Sequence, residues 1–274
     1  AFGTSTPEAG VGIIAVIKNQ KNIALGNIVG SNISNIGLIL GLCALFSPLG
    51  VDKNIVKREL PIMVLSAILF YILSLDLLIS RFDGAIFMVC FIIFFFISYK
   101  GAKRYPSSSK DETDNFTFRK PFKKDNPKII VLVFTLVFLL GIILGADLMV
   151  RGGVSLAKIF GVSSWVISIT VFAVGTSLPE LVASLTAIKK KVPSISVGNV
   201  VGSNIFNIFF VLGIIAMMRP IGLQPAILRF EFPVLLVFSL ILFVVMKTNY
   251  RIARWEGFTM FLGYIGFLFF LLRE

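Results

Sequence analysis

Two short stretches of the sequence place a proline and a glutamate inside otherwise apolar runs. The first reads Gly-Thr-Ser-Thr-Pro-Glu at residues 3–8, and the second reads Gly-Thr-Ser-Leu-Pro-Glu at residues 175–180. A carboxylate at the centre of a membrane-spanning helix costs roughly 2.5–3.5 kcal/mol on insertion scales. Glu8 and Glu180 therefore need a compensating cation, a proton or a water-filled cavity.

Oxygen donors precede both glutamates at helical spacing. A threonine lies four residues before each glutamate and a serine lies three residues before it, so the threonine and the carboxylate share a helix face. These donors are Thr4 and Ser5 in the first stretch and Thr176 and Ser177 in the second. Each proline lacks an N–H group and frees the carbonyl four residues earlier. We expect each kink to turn main-chain oxygens towards its carboxylate.

A second polar pattern follows each stretch. Residues 26–36 read Gly-Asn-Ile-Val-Gly-Ser-Asn-Ile-Ser-Asn-Ile, and residues 198–208 read Gly-Asn-Val-Val-Gly-Ser-Asn-Ile-Phe-Asn-Ile. In both, two glycines four apart allow helix backbones to approach closely. A serine and an asparagine four residues apart also share one helix face; they are Ser31 with Asn35, and Ser203 with Asn207. We predict that these bring a second set of oxygens against the first.

This donor set favours a hard cation. The sequence has no histidine and only two cysteines, so any bound metal must be held by oxygen. Ca²⁺ takes 6–8 oxygen ligands in flexible geometry, and two ionised glutamates match its charge. Mg²⁺ fits less well because it keeps several waters in a stricter octahedron. Na⁺ also seeks oxygen and could occupy the same positions in turn. No cofactor is implied.

The elements that carry these residues are predicted to cross a membrane. The chain is 57% hydrophobic and 15% charged, whereas soluble domains are about 25% charged. Because lipid forces backbone groups to pair internally, long apolar runs indicate helices. We therefore predict an all-α polytopic membrane protein, with a lipid bilayer and no nucleic acid or evident protein as partner. Its nine segments run approximately over 1–17, 23–46, 60–80, 85–99, 129–150, 162–188, 194–218, 232–246 and 258–272.

The sequence repeats itself at a shift of 172 residues. The two glutamate stretches and the two glycine-rich patterns superimpose without a gap, and Glu59 and Pro61 superimpose on Glu231 and Pro233. The two copies are predicted to have opposite orientations, as in the inverted repeats of secondary transporters. Segment 129–150, moved back by 172 residues, falls before residue 1. We therefore expect five plus five helices in the complete protein, with the first and the start of the second missing here.

Lys and Arg residues predict the orientation. Alternate connections carry 18 of them on one side and 8 on the other. The positive-inside rule places the richer side, which includes 100–128, in the cytoplasm. The predicted halves are thus 1–99 and 129–274, joined by the cytoplasmic loop 100–128. The remaining acids in or beside apolar segments are interpreted as structural; they are Glu59, Asp76, Asp147 and Glu231.

The doubled Gly-Thr-Ser-x-Pro-Glu, each copy followed by Gly-Asn-(Ile/Val)-Val-Gly-Ser-Asn, resembles the α-repeats of the sodium/calcium exchangers in the Ca²⁺/cation antiporter superfamily. The resemblance covers essentially the whole chain. It implies alternating access around a central site, with Na⁺ moving one way and Ca²⁺ the other. It also implies that Glu8 and Glu180 bind both ions, that the Thr4 and Thr176 carbonyls complete the Ca²⁺ shell, and that segment 129–150 is a gating helix. The implied Na⁺ positions use Ala1, Ala173, Ser5, Ser177, Ser31 and Ser203.

One position departs from the family pattern. Many of these exchangers carry aspartate at the position of Asn207, whereas both copies here carry asparagine, at 35 and 207. The resemblance therefore argues against K⁺ co-transport. The short loop has no room for the regulatory Ca²⁺-binding domains of animal exchangers, which favours a prokaryotic plasma membrane.

Three alternatives to Na⁺/Ca²⁺ exchange remain at this point. Ca²⁺/H⁺ exchange is the nearest, because two buried glutamates could each take up a proton when Ca²⁺ leaves. Paired carboxylates in a membrane could also form the shared-proton dyad of an intramembrane protease. The metal-type oxygen donors around both acids favour a transporter over an enzyme. A passive channel is the third alternative, and the interrupted inverted repeat favours gated exchange over it.

Overall fold

The computed structural model describes residues 1–104 and 128–273. Nine helical runs follow one another within those ranges, and each predicted segment falls on one of them. They are α1 (Thr6–Ile17), α2 (Lys21–Phe46), α3 (Leu60–Leu73), α4 (Arg81–Arg104), α5 (Lys128–Phe160), α6 (Ser164–Lys189), α7 (Pro193–Met218), α8 (Pro225–Asn249) and α9 (Arg254–Leu271). Six of these described runs, α2 and α4–α8, are long and apolar enough to cross a membrane. The prediction of an all-α polytopic membrane protein is confirmed.

Some predicted bounds are wrong. The segment predicted over 60–80 ends as a helix at Leu73, where the backbone N–H groups of Ser74 and Leu75 bond to carbonyls three residues back and Leu77 takes a positive φ of 63°. The chain then forms the two-residue strand β2 (Leu78–Ile79). The segment predicted to end at residue 150 continues as α5 to Phe160. Of the predicted loop, residues 100–104 continue α4, and 105–127 lie outside the described residues.

Three helical runs are interrupted near their centres. α2 and α7 contain six-residue π-helical turns, Asn35–Leu40 and Asn207–Leu212. α6 contains a π-helical turn at Ser168–Phe172 and then breaks at Ser177. Proline falls within the first two positions of the helix that follows this break, where its missing N–H costs no helical bond. Such π-helical turns commonly occur at functional sites.

The repeat extends through the structure with matching element bounds. Adding 172 to the bounds of α1 gives 178–189, the second half of α6, and adding it to those of α2 gives α7. A further element becomes visible here. Arg-Phe-Asp-Gly at 81–84 starts α4 and Arg-Trp-Glu-Gly at 254–257 starts α9, at a shift of 173. A gapless comparison misses this fourth match because one residue is added before it.

The two repeats pack crosswise. A Cβ atom on Gly84 of α4 would lie 2.8 Å from the Gly213 carbonyl oxygen of α7. A Cβ on Gly257 of α9 would likewise lie 2.8 Å from the Gly41 carbonyl oxygen of α2. Each fourth helix thus crosses the central helix of the other repeat at a glycine contact. This packing holds α2 and α7 at the centre of the molecule. Within an apolar 18-residue stretch of each helix, 83% of α2 and 78% of α7 are buried.

Short strand pairs connect the repeats at two places. Strand β1 (Leu49–Gly50) pairs with β4 (Arg251–Ile252), and β2 pairs with β3 (Ile221–Gly222), both antiparallel. The connections that carry β1 and β4 are both predicted to be cytoplasmic, and β2 and β3 are both predicted to lie on the opposite side. The pairings therefore agree with the predicted orientation.

Candidate functional site

The two glutamates that opened the sequence analysis lie at equivalent places in the repeats. Glu8 lies in the first turn of α1, and Glu180 lies in the first turn after the break in α6. Both side chains are 0% exposed. The Ser5 hydroxyl donates to Glu180 Oε1 over 2.9 Å, and Ser177 Oγ donates to Glu8 Oε1 over 3.4 Å. Each serine therefore serves the glutamate of the other repeat, which brings the two stretches into one cluster.

The second oxygen of each carboxylate is left without a donor. Glu8 Oε2 and Glu180 Oε2 have no hydrogen-bond partner among the described residues. Buried carboxylate oxygens are normally paired or bind a cation, since an isolated buried charge is strongly unfavourable. Among the described residues, no three His, Cys, Asp or Glu side chains come together. The formal negative charge of this cluster therefore comes from the two glutamates.

The serines of α2 and α7 join this cluster in two different ways. Ser203 Oγ donates to Glu180 Oε1 over 3.2 Å. Its counterpart, Ser31, instead lies 3.4 Å from the Thr176 hydroxyl. Both serines are completely buried. The structure thus brings the predicted hydroxyl groups together, but the equivalent residues Ser31 and Ser203 make different contacts.

Two asparagines that the sequence analysis did not single out position the threonines. Thr176 Oγ1 donates to Asn27 Oδ1 over 3.1 Å, and Thr4 Oγ1 donates to Asn199 Oδ1 over 3.3 Å. Asn27 and Asn199 are equivalent under the repeat, and each lies four residues before the motif serine. That helical spacing within a repeated motif is the signal that could have identified them.

The two predicted asparagines have different surroundings. Asn35 Nδ2 donates to Asn204 Oδ1 over 2.9 Å, and Asn204 Nδ2 donates to the Asn32 carbonyl over 3.2 Å. Neither polar atom of the buried Asn207 side chain has a hydrogen-bond partner among the described residues. Each of Asn35 and Asn207 also begins a π-helical turn. Asn35 therefore belongs to a buried amide chain, whereas the Asn207 amide remains available.

Ala1 and Ala173 pack against the glycines of the second motif. A Cβ on Gly30 would lie 2.6 Å from the Ala173 Cβ, and a Cβ on Gly202 would lie 2.9 Å from the Ala1 Cβ. The carbonyl oxygens of both alanines accept helix-type bonds from the backbone N–H groups four residues later. The Ala173 oxygen keeps a second lone pair, whereas the Ala1 oxygen also accepts from the Thr4 hydroxyl over 3.0 Å. The role of the two alanines in Na⁺ binding stays a prediction.

The remaining acids have local partners. Glu231 accepts a hydrogen bond from Trp165 Nε1 over 2.7 Å, and Glu59 forms an ion pair with Arg58. Asp76 accepts from the Leu78 backbone N–H over 3.0 Å. Asp147 pairs with two cations, Lys18 and Arg151, between α1 and α5. These contacts agree with the structural interpretation of the four acids.

Comparisons with known proteins agree on one family. A family model described as "Sodium/calcium exchanger protein" matches residues 1–100 and 130–273. The chain is 34% identical to sodium/calcium exchanger MaX1 of Methanosarcina acetivorans, over 98% of the chain and 85% of that protein. It is also 34% identical to a putative antiporter, CaxA, of Alkalimonas amylolytica, over 99% and 85%. A solved structure of the sodium-calcium exchanger NCX_Mj, soaked with Na⁺ and Sr²⁺, has a TM-score of 0.68 and 33% identity, covering 96% of the chain and 81% of that structure.

Proposed function

The chain belongs to the sodium/calcium exchanger family, and from that premise we propose that it exchanges Ca²⁺ for Na⁺ by alternating access at the cluster around Glu8 and Glu180. The broader statement follows from the family itself: the protein is a multi-pass membrane antiporter of Ca²⁺ and not an enzyme. The proposal adds the site, the coupling ion and the residues that carry the ions.

One observation carries the proposal. Two fully buried glutamates, bridged crosswise by the serines of the opposite repeats, each retain an oxygen without a donor. A divalent cation between them would neutralise both carboxylates, so that little net charge remains in the membrane. When Ca²⁺ leaves, monovalent cations restore the same balance. The site thus favours occupancy by either Ca²⁺ or Na⁺ over an empty, doubly charged state.

The proposed ligands follow from the surrounding donors. We assign Glu8 and Glu180, with the carbonyls of Thr4 and Thr176, to Ca²⁺. The Na⁺ positions share the two glutamates and add the serine hydroxyls and alanine carbonyls; these residues are Ser5, Ser31, Ser177, Ser203, Ala1 and Ala173. Asn207 contributes an amide oxygen that is otherwise unpaired. Asn35 acts mainly through its bond to Asn204.

The repeat supplies the means for alternating access. The two proposed halves, 1–99 and 129–274, place equivalent interrupted helices on both sides of one cluster. In inverted repeats each half can adopt the conformation of the other, which opens the site to the opposite side of the membrane. The presence of asparagine at both 35 and 207 leaves two negative charges and argues against K⁺ co-transport. The relatives from an archaeon and a bacterium favour a prokaryotic plasma membrane.

A flux assay separates Na⁺ coupling from proton coupling. The protein is reconstituted into vesicles, a Na⁺ gradient is imposed, and the pH is clamped on both sides while Ca²⁺ uptake is recorded. Uptake that follows the Na⁺ gradient is the expected result. Uptake that ignores Na⁺ and follows an imposed pH gradient would establish Ca²⁺/H⁺ exchange instead. Passive flux that cannot move Ca²⁺ against its gradient would indicate a channel.

Glu180→Gln tests the site itself. The amide keeps the shape of the side chain and removes its charge, so we expect the loss of Ca²⁺ binding and uptake in a protein that remains inserted and folded. Asp76→Asn is the matched control, because Asp76 is exposed and bonds only to a nearby backbone N–H among the described contacts. Near-normal exchange by Glu180→Gln would overturn the assignment.

A further inference from the structure

Buried polar side chains lie between the proposed ion site and the cytoplasmic end of the molecule. Ser184 lies one turn beyond Glu180 on the buried face of α6, and Ser196 lies near the start of α7. Both are 0% exposed; the Ser184 hydroxyl has no hydrogen-bond partner among the described residues, and the Ser196 hydroxyl has there only a weak contact with the Cys43 thiol. Cys43, fully buried in the last turns of α2, places its thiol beside the Ser196 hydroxyl. The site described above uses none of these three groups.

A surface cavity of about 300 Å³ opens near these groups, where α7 begins, and its lining includes Asp52, Ser194 and Tyr250. Ser196 lies just beyond this cavity along α7. Ser203, seven residues further and roughly 10 Å along the helix axis, donates to Glu180. Polar side chains on α7 therefore reach from the cavity to the carboxylate.

The opposite half of the molecule lacks these groups. The repeat places Gly12 at the position of Ser184, Ala24 at that of Ser196, and Ile215 at that of Cys43. None of these three side chains carries a donor or an acceptor. The cavity on that side, about 340 Å³ and lined by Asn22 among others, thus has no matching polar groups beneath it. Packing alone would not distinguish the two halves in this way.

An unpaired buried hydroxyl is destabilising, and replacement by alanine would remove that cost. Ser184, Ser196 and the Cys43 thiol are buried together in one half of the molecule only. This arrangement indicates that the three groups have a role in another conformation. We propose that Ser184, Ser196 and Cys43 line the cytoplasmic half of the ion path, which is closed here. When this half opens, water hydrates the three groups, and they contact the ion as it moves between the cavity and Glu180. This inference rests on the proposed function.

Cys43 provides a native probe of that path. Cys90, the other cysteine, lines an apolar groove between α3 and α4 and is replaced by serine to leave a single thiol. Inside-out and right-side-out vesicles that contain this variant are treated with a membrane-impermeant, charged methanethiosulfonate during Na⁺/Ca²⁺ exchange. We expect modification from the cytoplasmic side, at least tenfold faster during exchange than without ions, and a block of flux. Exclusive reaction from the other side, or no reaction from either side in vesicles that transport Ca²⁺, would overturn the inference.

Two serine variants test the path without a thiol. Ser184→Ala and Ser196→Ala are expected to slow exchange by about threefold to tenfold, the effect of one lost contact between a hydroxyl oxygen and the moving ion. Their equilibrium Ca²⁺ affinity stays within twofold of wild type, because neither hydroxyl is a proposed ligand. Ser239→Ala is the control, since its hydroxyl bonds to the Leu235 carbonyl elsewhere in the core. Wild-type exchange rates in both variants would refute the proposed path. If the wild-type protein itself does not exchange Ca²⁺ for Na⁺, the proposed function is refuted instead.

Discussion

Gly30→Ala tests whether the close contact between α2 and α6 sets the geometry of the proposed ion site. A Cβ at position 30 would lie 2.5 Å from the Ile169 carbonyl oxygen and 2.6 Å from the Ala173 Cβ. Ordinary van der Waals contact begins at 3.4 Å. The backbones must therefore separate by about 0.9 Å, because two of the opposing atoms belong to Ile169 backbone rather than to a flexible side chain.

The displacement acts directly on the proposed ligands. Ser31 is adjacent to position 30, and Thr176 lies three residues beyond Ala173. Ca²⁺–oxygen distances fall within about 2.3–2.6 Å, so a shift of about 0.9 Å exceeds the tolerance of the shell. We expect Ca²⁺ affinity to fall roughly tenfold to a hundredfold, as when residues that support metal ligands are changed. Overpacking costs about 1–3 kcal/mol, and the higher helix propensity of alanine offsets about 1 kcal/mol, so the variant still folds.

The assay compares Ca²⁺ binding and thermal unfolding in detergent for Gly30→Ala and Gly145→Ala. No atom lies within 4 Å of a Cβ built at Gly145 of α5, so the control adds the same methyl group without a clash. We expect the control to bind Ca²⁺ like the wild type. Binding by Gly30→Ala within twofold of wild type would refute the link between this helix contact and the site.

Two further predictions concern single hydrogen bonds in the cluster. Ser5→Ala removes the hydroxyl that donates to Glu180 and is proposed to bind Na⁺, so the Na⁺ concentration that half-activates exchange is expected to rise about threefold to tenfold. An unchanged Na⁺ dependence in vesicle flux would contradict that assignment. Asn204→Ala leaves the Asn35 amide without its acceptor, and we expect a loss of about 1–3 kcal/mol in unfolding free energy. The measurement is the unfolding temperature in detergent, and a value equal to that of the wild type would show that the amide chain contributes nothing.

The sequence predicts the helices well because lipid restricts what an apolar run can do. Every predicted segment coincides with a helical run, and the shift of 172 residues gives matching bounds for α1 with the second half of α6 and for α2 with α7. The errors lie at the ends, where the local backbone conformation decides. The helix Leu60–Leu73 ends in backbone bonds to carbonyls three residues back and a positive φ at Leu77, which hydropathy does not register.

The structure brings the predicted residue types together in one cluster, but their pairing does not follow from the sequence. Spacing alone places Ser5 beside Glu8, since both lie on one short stretch. The structure instead turns Ser5 towards Glu180 of the other repeat. Such a choice depends on how α1 and α6 cross, which no local pattern encodes. The repeated helical spacing could have identified Asn27 but not its partner, Thr176, which lies 149 residues away.

The symmetric scaffold and its asymmetric contacts have separate consequences. In the proposed exchange cycle, equivalent halves would keep the two access states close in energy, because each packing that one repeat loses is gained by the other. Ser203 donates to Glu180, whereas its counterpart Ser31 faces Thr176, so the two carboxylates are not interchangeable for a bound ion. The buried hydroxyls beside Cys43 add a second difference, confined to one side. In the proposed cycle, similar states allow the protein to alternate, and we expect these side-chain differences to determine how tightly each state holds its ions.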